Sequence, residues 1–141
     1  MNSIILSSNG PRCEARVRTG TIYPGSLCSW SFDDRTTVDL EPPFVKSLVM
    51  VSLENSATGG QLTDGYTIGQ LLYMTVLRPG DLVLLRSVLA ITPLGVPVII
   101  DGANPGLIAA HPASTSHYII GQSMALSVAS TPGFLTRISI W

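Results

Sequence analysis

Two apolar runs around one turn constrain this fold most strongly. The runs cover residues 71–77 and 82–85, and the tetrad Arg-Pro-Gly-Asp at 78–81 separates them. Pro79 presets a turn φ angle and Gly80 accepts a positive φ. Strand-like runs on both sides of such a turn predict a β-hairpin. Because both faces of the runs are apolar, we expect this hairpin to be central and covered on both sides.

Short apolar runs followed by turn residues continue along the chain. Residues 47–53 form a β-type run, and two more runs, at 96–100 and 107–110, flank a turn-rich loop. Residues 118–128 alternate large and small side chains with a period of two. No segment keeps a helical period over the ~11 residues that an amphipathic helix needs. Many short strands with regular turn signals predict an all-β fold, either a compact barrel or a sandwich.

The chain length and the fraction of charged residues narrow the class of protein further. The 141 residues fit a single body, which we place at residues 20–141, with a core that needs no disulfide. Charged residues make up only 12% of the chain, about half of the ~25% that is typical. Such a neutral surface suits packing inside an assembly, because isolated proteins use interspersed charge for solubility.

Charge and apolar run length also bear on partners and location. The net charge is −1, so no global field favours nucleic acid or acidic membranes, and we expect neither as a partner. No apolar run reaches the ~18 residues that span a bilayer. The first residues show neither the basic region nor the long apolar core of a signal peptide. We therefore expect synthesis in the cytoplasm.

The first 19 residues carry little apolar periodicity beyond Ile4, Ile5 and Leu6, and the breaker Asn-Gly-Pro follows at 9–11. We predict an extended N-terminal arm over residues 1–19 that becomes ordered against a partner. The alternative is an edge strand of the same domain.

The same segment holds a small basic cluster, Arg12, Arg16 and Arg18, against a single acidic residue, Glu14. Three positive charges without interleaved aromatic residues are too few to indicate nucleic-acid binding. They fit an acidic surface on a protein partner. The candidate partner-binding residues are therefore Arg12, Arg16, Arg18, Ile4, Ile5 and Leu6.

No residue constellation indicates catalysis, a metal or a cofactor. Ser123 lies in a near match to a nucleophile elbow, but no Asp, Glu or His follows it. His111 and His117 are six apart with no nearby third ligand, and metal sites usually need at least three. Asp64 and Asp81 each stand beside a turn glycine, where bonding to the local backbone explains them. We expect no enzyme activity and no cofactor.

The two cysteines, Cys13 and Cys28, do not form a disulfide framework. We expect buried free thiols. A bridge between the two, or a reactive thiol, is the alternative.

A series of turn residues and apolar strands runs along the chain in a fixed order. Its stretches are Gly20–Leu27, Leu53–Asn55, Asp64–Tyr66, Ile68–Gln70, Arg78–Val83, Gly95–Val98, Asp101-Gly102, Gly106-Leu107, Ile119–Leu126 and Thr136–Ile140. This serial order, over roughly residues 20–141, resembles the capsid decoration, or cement, proteins of tailed bacteriophages. Two positions depart from the family pattern, since Gln70 and Ser127 stand where that family tends to carry acidic residues.

The resemblance implies a compact β-barrel or β-tulip body with an N-terminal arm laid across capsid subunits. It implies a structural protein of the virion that binds the outer capsid surface and reinforces contacts between major capsid protein subunits. Self-association as a trimer or dimer on the capsid is common in that family, and no catalytic or cofactor residues come with it. Two other functions stay open, the base of a head fibre or spike, and a carbohydrate- or peptide-binding module for host adhesion.

Overall fold

The computed structural model describes residues 3–8, 10–31, 37–40, 49–55, 60–91, 94–111 and 119–141. Within these ranges the regular structure is entirely β, with no helix, as the sequence predicts. The strands of the N-terminal half are β1 (Ile5–Ser7), β2 (Arg12–Val17), β3 (Leu27–Trp30), β4 (Thr37–Leu40), β5 (Met50–Ser52) and β6 (Leu71–Val76). Those of the C-terminal half are β7 (Leu82–Ser87), β8 (Pro97–Ile100), β9 (Ile108–Ala110), β10 (Ile119–Ser123), β11 (Val128–Ala129) and β12 (Phe134–Ile140).

The strands close into two five-stranded barrels. The first barrel has the order β2-β4-β3-β5-β6, and β6 pairs back onto β2. The second has the order β7-β9-β8-β10-β12, and β12 closes it against β7 over six residue pairs. β1 adds to β7, and β11 adds to β12. The prediction of a compact barrel body is therefore confirmed, and the body consists of two barrels.

The hairpin expected from residues 71–77 and 82–85 does not form, because its two strands belong to different barrels. β6 pairs with β2 and β5, whereas β7 pairs with β1, β9 and β12. The turn itself forms, and the amide of Asp81 donates to the Arg78 carbonyl at 3.0 Å. At its far side the Gly80 amide donates to the Ile140 carbonyl at 2.8 Å, which starts the pairing of β7 with β12. Each apolar strand is thus covered by its own barrel.

The extended arm predicted over residues 1–19 is not confirmed. Ile4 has no exposed surface, its amide donates to a Glu54 carboxylate oxygen at 3.1 Å, and its carbonyl accepts from Leu84 N at 2.9 Å. β2 forms one wall of the first barrel between β4 and β6. Its side chains alternate, so Ala15 and Val17 are buried while the arginines point outwards. The segment is part of the folded body, which agrees with the alternative of a strand in the same domain.

The buried side chain of Arg86, on β7, ties the two barrels together. Only 1% of this residue is exposed, and among the described residues it has no carboxylate partner. Four hydrogen bonds to backbone carbonyls hold the guanidinium, and the Tyr23 ring centroid lies 5.7 Å from its central carbon. The acceptors are Pro24 at 3.0 Å, Leu62 at 2.7 Å, Ser130 at 2.8 Å and Pro132 at 2.6 Å.

These acceptors lie on three separate connections. Pro24 precedes β3 and Leu62 precedes β6, so both belong to the first barrel, while the other two lie between β11 and β12. Burial lowers the pKa of Arg86 to about 10, so its guanidinium is still charged at neutral pH. A charge that is removed from water must be compensated by hydrogen bonds, and here carbonyl dipoles from both barrels provide them.

The substitution Arg86→Met tests whether Arg86 holds the two barrels together. It removes the donors for four buried carbonyls, and we expect the free energy of unfolding to fall by about 3–4 kcal/mol, measured by urea denaturation. The matched control is Arg78→Met at the exposed turn, which should change the free energy by less than about 0.5 kcal/mol. Equal effects of the two substitutions would show that Arg86 does not join the barrels.

Candidate partner-binding surfaces

The outer face of β2 carries a basic stripe, which we define as Arg12, Arg16 and Arg18 together with Glu14. All four residues are exposed, because Arg12, Glu14 and Arg16 occupy alternate positions of a strand whose other face fills the first barrel, and Arg18 continues this alternation directly after the strand. The structure therefore brings together the three arginines that the sequence singles out. It places them on a barrel wall.

The three arginines differ in how they are held. Arg16 Nη1 donates to the Gly69 carbonyl at 2.8 Å, and Arg18 Nη1 pairs with Asp39 Oδ2 at 3.2 Å. The side chain of Arg12 has neither a hydrogen bond nor an ion pair among the described residues. Arg12 is thus the stripe residue whose charge is most available to a partner.

The three apolar candidates of the N-terminal segment separate in the structure. Ile4 lies in the core, so it offers no surface to a partner. Ile5 and Leu6 are half-buried and pack against that core. Ile5 also lines a shallow groove that Arg12 lines too, beside Tyr73 and Glu54. An apolar side chain next to the unpaired arginine extends the candidate surface from β2 towards β1.

A second surface, which the sequence does not predict, follows β10. The alternation of residues 118–128 does not continue as one strand, because β10 ends at Ser123 and β11 begins at Val128. From the end of β10 to the start of β11, the large side chains of Met124, Leu126 and Val128 are 47%, 62% and 62% exposed. The period of two was visible in the sequence, but it does not say which side faces solvent.

Ser123, Asp64 and Asp81 each accept a hydrogen bond from a backbone amide. Ser123 is fully buried, and its hydroxyl oxygen accepts from Val96 N at 3.0 Å. Asp64 accepts from Gln61 N at 2.8 Å and Asp81 accepts from Arg78 N at 2.8 Å, as expected for turn residues. His117 lies outside the described residues.

Neither a metal-ion cluster nor a membrane-spanning helix occurs in the described ranges. No group of three or more His, Cys, Asp or Glu residues there could hold a metal ion. The same ranges contain no helix with the length and apolarity needed to cross a membrane.

Both cysteines are free thiols. Cys28 is fully buried, and its thiol donates to the Ser26 carbonyl at 3.6 Å. Cys13 is half-buried, with Sγ 3.9 Å from Met50 Sδ, and burial raises the pKa of its thiol. The bridged alternative does not form, and a raised pKa disfavours the reactive thiolate.

Alkylation with iodoacetamide at neutral pH checks that both cysteines are unbridged thiols of low reactivity. In the native protein we expect Cys13 to react more slowly than free cysteine, and Cys28 to react only after unfolding in urea. A Cys13→Ser variant isolates the signal of Cys28 in mass spectrometry. Rapid modification of Cys28 in that native variant, or a mass that indicates a bridge in the parent protein, would contradict it.

No family model matches the sequence, and no curated protein matches it. We therefore argue function from the surfaces of this chain and from the motif pattern described above.

Proposed function

We propose that this protein is a structural protein of a virion that binds the outer surface of a tailed-phage capsid and reinforces contacts between major capsid protein subunits. The observation that carries the proposal is the basic stripe, a row of exposed arginines on the wall of a rigid double barrel. The serial motifs over residues 20–141 that resemble cement proteins support it. The protein would be made in the host cytoplasm and reside on the capsid.

A rigid body suits this role because a capsid under internal pressure fails at the joints between subunits. A domain that bridges a joint adds contacts on both sides without any chemistry. Many copies on one shell add avidity, so each contact can be modest. Self-association as a dimer or trimer on the capsid belongs to the same proposal. The low charge of the chain, 12%, fits packing between subunits.

The stripe would face acidic residues of the major capsid protein. Complementary charges steer the encounter and fix the orientation more than they raise affinity. Arg16 and Arg18 are already held by contacts within the chain, so binding does not have to order them. Arg12 has no such contact and would make the most direct pair. Because β2 is already folded, binding also avoids the entropy cost that an arm would have to overcome.

Co-sedimentation with expanded capsids that lack this protein tests the proposal. We expect binding that weakens as salt is raised, together with a higher capsid melting temperature. Arg12→Glu should weaken binding about tenfold, because it opposes an acidic surface with like charge. The matched control Arg78→Glu reverses an exposed arginine away from the stripe and should bind normally.

Two results would contradict the proposal at different levels. Protein that neither sediments with the capsids nor raises their melting temperature would reject the cement role. Binding that Arg12→Glu and Arg78→Glu weaken equally would reject the stripe as the contact surface while leaving the role itself intact.

A further inference from the structure

An apolar groove lies on the outer face of the second barrel, beside β11. Leu84 and Leu135 form its floor and are almost fully buried. Leu126 and Val128, both 62% exposed, form one rim, and Leu62 contributes to the lining. Arg137, on β12, also lines the groove, and among the described lining residues it alone is charged. Two large apolar side chains on such a rim are unfavourable to leave in water, because burial of apolar surface is favourable.

The rim is held in place. Ser127, which lies between the two rim residues, donates from N to the Ile91 carbonyl at 3.3 Å. Its hydroxyl oxygen accepts from Ile91 N at 2.7 Å and lies 2.6 Å from Thr136 Oγ1. Ile91 is itself buried. These bonds fix Leu126 and Val128 in their outward positions, so their exposure is a feature of the fold.

Arg137 brings a buried hydrogen-bond donor without a partner to this groove. Its Nε is buried and has no hydrogen-bond partner, and within the described ranges the guanidinium makes no ion pair. A buried donor without an acceptor is destabilising, and more so when it is charged. The only acidic residue after Ser87 is Asp101, whose oxygens accept from Ala103 N at 2.9 Å and Asn104 Nδ2 at 3.1 Å. Because no carboxylate of the described residues pairs with Arg137, its guanidinium is available to a carboxylate of another molecule.

We propose that this groove binds a segment of a partner protein in which a carboxylate side chain is flanked by apolar residues. The carboxylate would accept hydrogen bonds from Arg137, and the apolar neighbours would cover Leu126 and Val128. The two rim residues are two positions apart, about 7 Å along an extended chain, which matches the spacing of alternate side chains in an extended partner segment. The groove is separate from the basic stripe, so the proposal does not depend on the capsid role.

A selection from a yeast-displayed library of random seven-residue peptides tests the groove. The wild-type protein should enrich peptides with Asp or Glu flanked by Leu, Ile, Val or Phe. For an enriched peptide, replacing its acidic residue by the amide should weaken binding about 10- to 100-fold in fluorescence anisotropy. Arg137→Gln should weaken the parent peptide by a similar factor and abolish its preference for the acid over the amide.

Two variants keep the test independent of folding. Val128→Ser changes an exposed rim residue, so it should preserve the melting temperature while weakening the enriched peptide. Arg78→Gln is the matched control, since it removes an exposed arginine outside the groove and should leave peptide binding unchanged.

Several outcomes would overturn the proposal. They are a selection that enriches no peptide, enriched peptides without an acidic residue, and equal binding by the wild type and Arg137→Gln. A fourth is a dimer in light scattering that Val128→Ser dissociates, because the occupant would then be a second copy of this chain.

Discussion

The structure depends on one buried cation. Arg86 places its charge where water cannot reach it, and no carboxylate of the described residues neutralises it. Backbone carbonyls from three connections do so, and two of those connections belong to the other barrel. These four hydrogen bonds thus fix the position of one barrel against the other. The close approach of Gly25 adds to this, because a side chain there would meet Leu135 and the Leu84 carbonyl.

The same cation supports the groove on the second barrel. Leu62 and Ser130 both line the groove, and the carbonyls of both accept from Arg86. The Arg86 guanidinium therefore lies beneath the groove. It also holds the second barrel against the first barrel, which carries the basic stripe. A rigid body results, with an arginine stripe on the first barrel and an apolar groove on the second. The two surfaces differ in chemistry, since one is basic and the other is mainly apolar.

Local signals in the sequence predict the turns and several strands, because their physics is local. The tetrad at 78–81 makes the turn that Pro79 and Gly80 indicate, and the apolar run at 82–85 becomes β7. Pairing is not local, since the same turn can lead into a hairpin or pass between two barrels. Closing two barrels covers both apolar strands more fully than a hairpin would. Only the tertiary structure decides between these arrangements.

The N-terminal segment and the groove show two other limits of prediction from the sequence. Of the inward residues Cys13, Ala15 and Val17 of β2, only Val17 is strongly apolar, so the outward arginines dominate the sequence pattern and suggest an arm. The groove joins Leu62 to Leu126 and Arg137, residues that are far apart in the chain. The missing partner of Arg137 could not be seen from the sequence, because it depends on which acidic residues fold near it.

Hydrogen exchange of the free protein tests most directly the claim that the N-terminal segment belongs to the rigid body. The amides of Val17 and Arg18 donate to the carbonyls of Gln70 and Val38, both at 3.0 Å. We predict that they exchange as slowly as the neighbouring amides of β6, since β2 opens only with the first barrel. Complete exchange of residues 12–18 within the first seconds, while β6 stays protected, would show an arm that is free until it binds and would contradict this account.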